Sequence, residues 1–574
     1  MRSRTILASA LLVGSLTVLG VSIPRAIADR SEKYAWWDTM TDVVSLVDQH
    51  FLREPDREAM QLAAIQGMLE SLNDPYTVYI PPAAERDFDR DIRGTYVGIG
   101  AEVVGEDGFL RIVSPLDDSP AYEAGIEADD VVVGVNGESV FNQTADEIID
   151  KLLGTPNTGV VLTLEREGTA EDWPRGAKPA TVAAAIGDAP GPRAGHSRFD
   201  LDIVRRPIKA ATVKGLHREG DQWHYFADPV RRIAYVRITQ FTDTTVDALA
   251  GVCRQLVADG LGGLILDLRF NTGGSLGAAI GMADLFLPEG TIVSTKGRSG
   301  PEERAVAHEP GTLPNFPMVV LTNSGSASAS EIVAGALADN RRAVILGERT
   351  FGKGVVQSVI RLPSGKGQLK ITEQYYYLPS GRCLHREDDS TVWGVDPTVG
   401  FYVPMSTAEN RDMWRVRRDE EVLRTHRRPG DDAEDRWSDP QWILDHLKDK
   451  QLAAAVEAIA IMIDTGDWTP TGETITDDTY KNIALRDVER RQRLLLRELE
   501  RTQARVDALS GGEPIAARDL FPDDIDLTNG TVLIRDAKGN VIATLKITDA
   551  DLERWLIDAP VEPEAAATPS EPQG

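Results

Sequence analysis

Along the chain the spacing of apolar residues changes character several times, and each change predicts a different kind of element. Over residues 36–72, Val43, Leu46, Val47 and Phe51, then Leu62, Ile65, Met68 and Leu69, recur at helical intervals, so two packed helices are expected before the turn NDPYTVY. From Gly94 the texture shifts to YVGIGAEV, GFLRIV, DDVVVGVNG and VVLTLERE, short strands divided by glycine-rich turns. One helix interrupts them, started by the capping box of Thr144 and Glu147 and stopped by Gly154. Residues 169–198 are rich in Pro, Gly and Ala without periodicity and read as an insertion or loop, after which FDLDIVRR completes a compact β-rich module over 94–206.

Beyond about 207 strands and helices alternate: RIAYVRI, a helix over 244–259, GLILDLRF, a helix near 278–286, PMVVLTN, a helix opening on SEIVAGAL, and RAVILGE. That order predicts an α/β layer structure around a largely parallel sheet over 207–402. After 403 the chain is highly charged, with one helix expected over 439–463 and a longer arginine-rich one over 478–509. A hairpin is expected around 536–540, and residues 560–574 have the composition of a disordered tail.

At 574 residues the chain exceeds what one core usually supports. Its formal charge of -28 argues against nucleic acid or an anionic membrane surface as partner, since both reward lysine and arginine. Arg2 and Arg4 precede an uncharged apolar run over 6–23 and the small-residue site Ala26-Ile27-Ala28, the pattern of an export signal. The run is also long enough to cross a bilayer, so residues 1–28 are expected to be a signal peptide or an uncleaved anchor. Two cysteines, Cys253 and Cys383, are too few for a disulfide framework, leaving one bridge or two buried thiols. The eight histidines are scattered and none forms H-E-x-x-H, so neither metal nor another cofactor is expected.

Two serines lie between a strand and a helix. Ser275, in Gly273-Gly274-Ser275-Leu276-Gly277, fits G-x-S-x-G, but a nucleophile elbow turns sharply at the strand end, and here Asn271, Thr272 and a second glycine intervene. Ser328 opens the helix after PMVVLTN, where Ser328 and Glu331 spell a capping box. A helix N-terminus also offers free N–H groups and partial positive charge to an oxyanion, so capping and catalysis are compatible. A serine needs a base, and no histidine stands out. Lys353, between Gly352 and Gly354 after RAVILGE, can serve if burial lowers its affinity for a proton.

The run NSGSASASEIVAGALADNRRAVILGERTFGKGVVQ resembles the catalytic segment of the carboxyl-terminal processing peptidases, tail-specific serine endopeptidases with a Ser/Lys dyad and a PDZ domain. LNDPYTVY, YVGIGAEV, SPAYEAGIEADDVVVGVNG, LILDLRFNTGG, YYYLPSGR and GVDPTV match in the family's order over about 36–400. The resemblance implies Ser328 as nucleophile, Lys353 as general base and Gln357 as the residue orienting the lysine. It implies oxyanion donors from Ala329 and from Gly273 or Gly274. Lys353 and Gln357 would be about 13 Å apart on an extended strand, so a bend at Gly354 is expected. Residues 94–206 resemble a PDZ domain, in which Val97, Gly98, Ile99 and Gly100 would point N–H groups at a substrate's terminal carboxylate while the next strand pairs with its tail. The fold class expected is multidomain α/β: a helical N-terminal region (29–93), a PDZ-like β-rich module (94–206), an α/β peptidase core (207–402) and a mainly helical C-terminal extension (403–559). The implied protein is exported, to the bacterial periplasm or cell envelope, and takes protein or peptide substrates by their C-termini. A non-enzymatic PDZ scaffold with a degenerate core, and an α/β-hydrolase using Ser275, are the alternatives.

Overall fold

In the computed structural model the described residues run from 37 to 474, apart from 86–87, 89–94, 107, 117, 181–190, 210, 220–221, 299, 388–389 and 423–433. Beyond 474 they comprise scattered helical positions over 479–496 and two strands. The apolar run over 6–23 and the tail over 560–574 lie outside them.

Helices α1 (Trp37–His50) and α2 (Arg57–Glu70) form where the periodicity placed them. They are not packed as expected: α1 buries no residue, and an ion pair from Arg57 to Asp48 at 2.7 Å joins them. The turn after α2 leads into β1 (Val78–Ile80). The β-rich module begins with β2 (Thr95–Gly98), β3 (Ala101–Glu106), β4 (Phe109–Pro115) and β5 (Val131–Val135). It continues through α3 (Ala145–Leu152), capped by Thr144 and Glu147, to β6 (Gly159–Glu167) and β7 (His196–Val204). Its main sheet runs in the order β3-β4-β5-β6-β7 around a core that includes Leu110, Val132, Ile148, Leu162 and Phe199. The described parts of the segment over 169–198 are less irregular than its composition suggests. They hold a capped turn at Ala170–Asp172 and a strand, Lys178–Pro179, on the edge of β7, which itself starts at His196. Strand β8 (Arg206–Lys209) pairs back with β2.

The α/β part is built on β9 (Ile233–Ile238), α4 (Thr245–Ala258), β10 (Gly263–Asp267), α5 (Leu276–Asp284) and β11 (Thr291–Gly297). There follow β12 (Met318–Thr322), α6 (Ala329–Asp339), β13 (Val344–Gly347), β14 (Val355–Arg361) and β15 (Gln368–Tyr377). Strands β9, β10, β12 and β13 are mutually parallel, with Leu264 beside Met318 and Val319 beside Val344. A second, antiparallel sheet places β15 between β14 on one side and β1 and β11 on the other.

The parallel strands carry continuous apolar runs, such as Leu264-Ile265-Leu266 and Met318-Val319-Val320-Leu321, because both faces are covered. Leu264, Leu266, Val320 and Ile345 meet Leu249 of α4, Met282 of α5 and Ile332 of α6. The alternate residues Ile265, Val319, Leu321 and Leu346 meet Leu452, Val456 and Ile459 of the C-terminal part. The expected boundary near 402 is therefore not a structural one: residues through Thr474 form one compact unit, and a second comprises Ile475–Gly574. Two helices matter here, α7 (Thr407–Glu421) and α8 (Lys450–Thr465). The single helix expected over 439–463 is broken, since Lys448 takes φ 56° and Asp449 caps α8 by accepting the Leu452 N–H. In the second unit, β16 (Thr531–Arg535) and β17 (Val541–Lys546) form the expected hairpin. The helix expected over 478–509 is described only at isolated positions, such as Leu485 and Leu495, which are helical.

Candidate active site

Ser328 stands at the junction of β12 and α6 with φ 55° and ψ -113°, a conformation costly for a residue with a Cβ. Its neighbours hold it there. Ser326 Oγ donates to the Leu268 carbonyl and accepts from the Asn323 N–H, and Ser330 Oγ donates to the Asn271 carbonyl. Asn323 Oδ1 accepts from the N–H groups of Phe270 and Gly325, both at 3.0 Å. Ser326 and Ser330 are thus committed to fastening the turn to residues 268–271, and Ser324 is exposed. Ser328 and Glu331 form the capping box read from the sequence; its Glu331 half, the Ser328 N–H to Oε2, spans 2.8 Å. The buried hydroxyl of Tyr376 hydrogen-bonds with Ser328 and is pushed up to about 12 by burial.

Gly273 and Gly274 lie against this turn with φ 103° and 145°. A Cβ at 273 would sit 2.8 Å from Ser328 Cβ and 3.0 Å from Ala329 N, and one at 274 would meet the Phe241 carbonyl at 2.1 Å. Only glycine fits at either place. The Gly273 N–H is taken by Asn271 Oδ1 at 2.9 Å. The N–H groups of Gly274 and Ala329 have no acceptor among the described residues, so of the two glycines it is Gly274 whose donor is free. Ser275 caps α5, its Oγ accepting from the Ala278 N–H at 3.3 Å.

Lys353 is half-buried between two glycines pressed against other chain segments; at Gly352 a Cβ would strike Trp393 at 2.6 Å and at Gly354 the His385 backbone at 2.3 Å. Burial lowers the affinity of its amine for a proton, Lys370 lowers it further, and Glu331 and Asp74 oppose this. Its Nζ lies 5.0 Å from the ring centroid of Tyr76. Among the described residues no hydrogen bond joins Gln357 to the Lys353 amine. The chain enters β14 at Val355, with a bulge between Val356 and Gln357, and Gln357 Nε2 donates to the Tyr76 carbonyl at 2.7 Å.

Glu331, which the sequence offered only as a capping residue, is the link between these parts. Fully buried, it accepts the N–H groups of Ser328 and Lys353 on Oε2, each at 2.8 Å. Oε1 takes the Gly352 N–H at 2.7 Å and the Thr350 hydroxyl at 2.6 Å. Burial raises its pKa, and these four donors work against that rise.

The strand leading to Gly273 is held from behind. Arg269, fully buried, donates to Asp267 and to Asp449, the cap of α8. Arg417 of α7 approaches both carboxylates, at 3.2 and 3.0 Å. Burial would raise Asp267, yet Arg269 and Arg417 hold it far below the ordinary carboxylate range. Phe270, at φ 61°, packs edge-on against Trp414 of α7. Sequence reasoning missed Asp449 and Trp414, which no local motif marks.

In the β-rich module Gly98 approaches α3, where a Cβ would lie 3.2 Å from Leu153, and Gly100 takes φ 79°. The carbonyls of Val97, Ile99 and Gly100 accept from Gly154, Ala121 and Leu116. Strand β3, just after this loop, is at the sheet edge. Cys253 and Cys383 are both free.

Three family models match the chain: peptidase family S41 over 232–401, a PDZ domain over 111–166, and the N-terminal domain of the activating protease CtpB over 21–83. A carboxy-terminal-processing protease of Bartonella bacilliformis is 34% identical over 424 residues, which cover 73% of this chain and 86% of that protein. A "Probable CtpA-like serine protease" of Staphylococcus aureus is 29% identical over 391 residues, 67% of this chain and 69% of its own. Among solved structures, the photosystem II D1 C-terminal processing protease is 28% identical, with 63% of this chain and 86% of that one covered at a TM-score of 0.35.

Proposed function

The chain belongs to peptidase family S41, as a carboxyl-terminal processing serine peptidase, and from that premise we propose how its residues divide the reaction. Ser328 Oγ attacks the scissile carbonyl carbon while neutral Lys353 takes the hydroxyl proton. The N–H groups of Ala329 and Gly274 receive the oxyanion. Collapse of the tetrahedral intermediate breaks the C–N bond, with Lys353 returning the proton to the leaving amine. Water then attacks the acyl-enzyme by the same route in reverse. Gly273 shapes the oxyanion site, and Gln357 positions the loop that carries Lys353. The observation that carries this reading is the Glu331 carboxylate, which gathers the backbone N–H groups of Ser328 and Lys353 onto one buried oxygen.

Substrates are selected by the PDZ-like module: the loop Val97, Gly98, Ile99 and Gly100 receives the terminal carboxylate, and the free edge of β3 pairs with the preceding residues. Residues 1–28 direct export to the periplasm or cell envelope, where the apolar run over 6–23 either is cleaved or anchors the protein to the inner membrane. The test is incubation of the purified protein with an unstructured polypeptide bearing either a free or an amidated C-terminus, with intact-mass readout. Cuts near the C-terminus are expected, with the amide bound more weakly by roughly 1.5 to 3 kcal/mol, the worth of hydrogen bonds to a charged group. Equal binding and cleavage of acid and amide would show that the module does not read chain ends.

A further inference from the structure

The turn that follows α2 brings a residue to Lys353 that the dyad chemistry does not name. Tyr76 presents its ring face to the ammonium, 5.0 Å from Nζ, and its backbone carbonyl to the Gln357 amide at 2.7 Å, across 281 residues of sequence. One residue therefore touches both members of the lysine loop. Its own position is fixed. Asp74 accepts from the Tyr76 N–H at 3.0 Å and from the Thr77 hydroxyl at 2.6 Å, while Thr77 Oγ1 accepts from the Thr372 N–H of β15 at 3.1 Å. The adjoining β1 then pairs with β15 from Val78 to Ile80. Among the described residues no carboxylate forms an ion pair with Lys353 and no acceptor hydrogen-bonds its Nζ, so the aromatic face is the contact that holds this end of a flexible side chain.

We propose that Tyr76 is a positioning residue for the peptidase reaction, its ring fixing the Lys353 amine and stabilising the ammonium that forms when the lysine takes the serine proton. The chemistry suits a base. A carboxylate in contact would hold the proton on the lysine before the reaction, whereas a π face attracts the cation without accepting a proton. The attraction is therefore greatest at the moment the charge develops, which favours the transition state over the ground state. The other groups facing Lys353 are Glu331 and Asp74, which favour the ammonium, and Lys370, which opposes it. His385 packs edge-on to Tyr76 at 6.2 Å, and burial lowers its pKa below the usual histidine value.

The proposal rests on Lys353 being the base, and the experiment separates the two claims. Rates of polypeptide cleavage are measured across pH for the full chain and for Tyr76→Leu, Tyr76→Phe and Lys353→Ala. Tyr76→Leu should lower the high-pH plateau of kcat about tenfold or more with little change in KM, and move the acid limb to lower pH, because the ammonium loses its stabilising face. Tyr76→Phe keeps the ring and should restore both. The limb should stay in place in His385→Gln, which excludes the histidine as its source. In a Ser328→Ala background, competitive acetylation of Lys353 followed by mass spectrometry reads its titration without catalysis, and Tyr76→Leu should lower the midpoint there too. An unchanged plateau and midpoint in Tyr76→Leu, or a Tyr76→Phe protein as impaired as Tyr76→Leu, overturns the proposal. Cleavage by Lys353→Ala overturns the base assignment instead, while the acetylation midpoint still reports whether Tyr76 holds the ammonium.

Discussion

At Lys353 the proposed base role asks for an uncharged amine, and burial moves the side chain in that direction. Removal of water and the nearby charge of Lys370 favour the neutral amine, while Glu331 and Asp74 restrain the shift. The lysine is depressed from its ordinary value, so its base form gains as pH rises through that lowered value; cleavage should rise along the same limb and level off above it. Lys353→Arg keeps the charge but cannot release a proton, and its cleavage rate should fall by about a thousandfold or more at every pH. An arginine variant with the parent rate would show that the charge alone matters. Glu331 explains why a capping residue is buried so deeply: a carboxylate with four donors can hold the serine turn and the lysine loop in one register, which a hydroxyl cap at the surface could not.

The elements show where the amino-acid pattern is informative. The helices are legible from their periodicity and the parallel strands from short apolar runs between them, and the strand-turn-helix placement of Ser328 follows from both. What the pattern omits is the partner of each face. In GLILDLRF the run Leu264-Ile265-Leu266 is continuously apolar, which demands cover on both sides, yet nothing local says that α8, nearly two hundred residues later, supplies the second layer. The reverse error occurs at α1, where a helical stripe suggests a packed pair and the helix buries nothing among the described residues. The role of Glu331 was hidden because S-x-x-E reads as a cap whether or not the carboxylate reaches a second loop. Asp449 carries the clearest consequence at this scale. Asp449→Ala would leave Arg269 and Arg417 buried with one carboxylate between them, and should cost about 3 to 5 kcal/mol in urea unfolding of the full chain. A loss below about 1 kcal/mol would mean that α8 does not depend on this charge cluster.

At the scale of the compact unit through Thr474, three segments far apart in sequence support the loops of the candidate site. The turn after α2 meets Lys353 and Gln357, the strand ending at Asp267 delivers Gly273 and Gly274, and α7 and α8 hold that strand from the opposite face of the sheet. The central claim is that these parts serve Ser328 and not Ser275, which has the better-known motif but spends its hydroxyl on capping α5. The direct measurement is cleavage of an unstructured polypeptide by Ser328→Ala and by Ser275→Ala, each shown by circular dichroism to be folded and assayed well below its unfolding temperature. Ser328→Ala should leave no cleavage above background, and Ser275→Ala should keep most of the parent rate, since losing a helix cap costs only about 1 kcal/mol of stability. Cleavage by folded Ser328→Ala together with its loss in folded Ser275→Ala would contradict the assignment of the nucleophile.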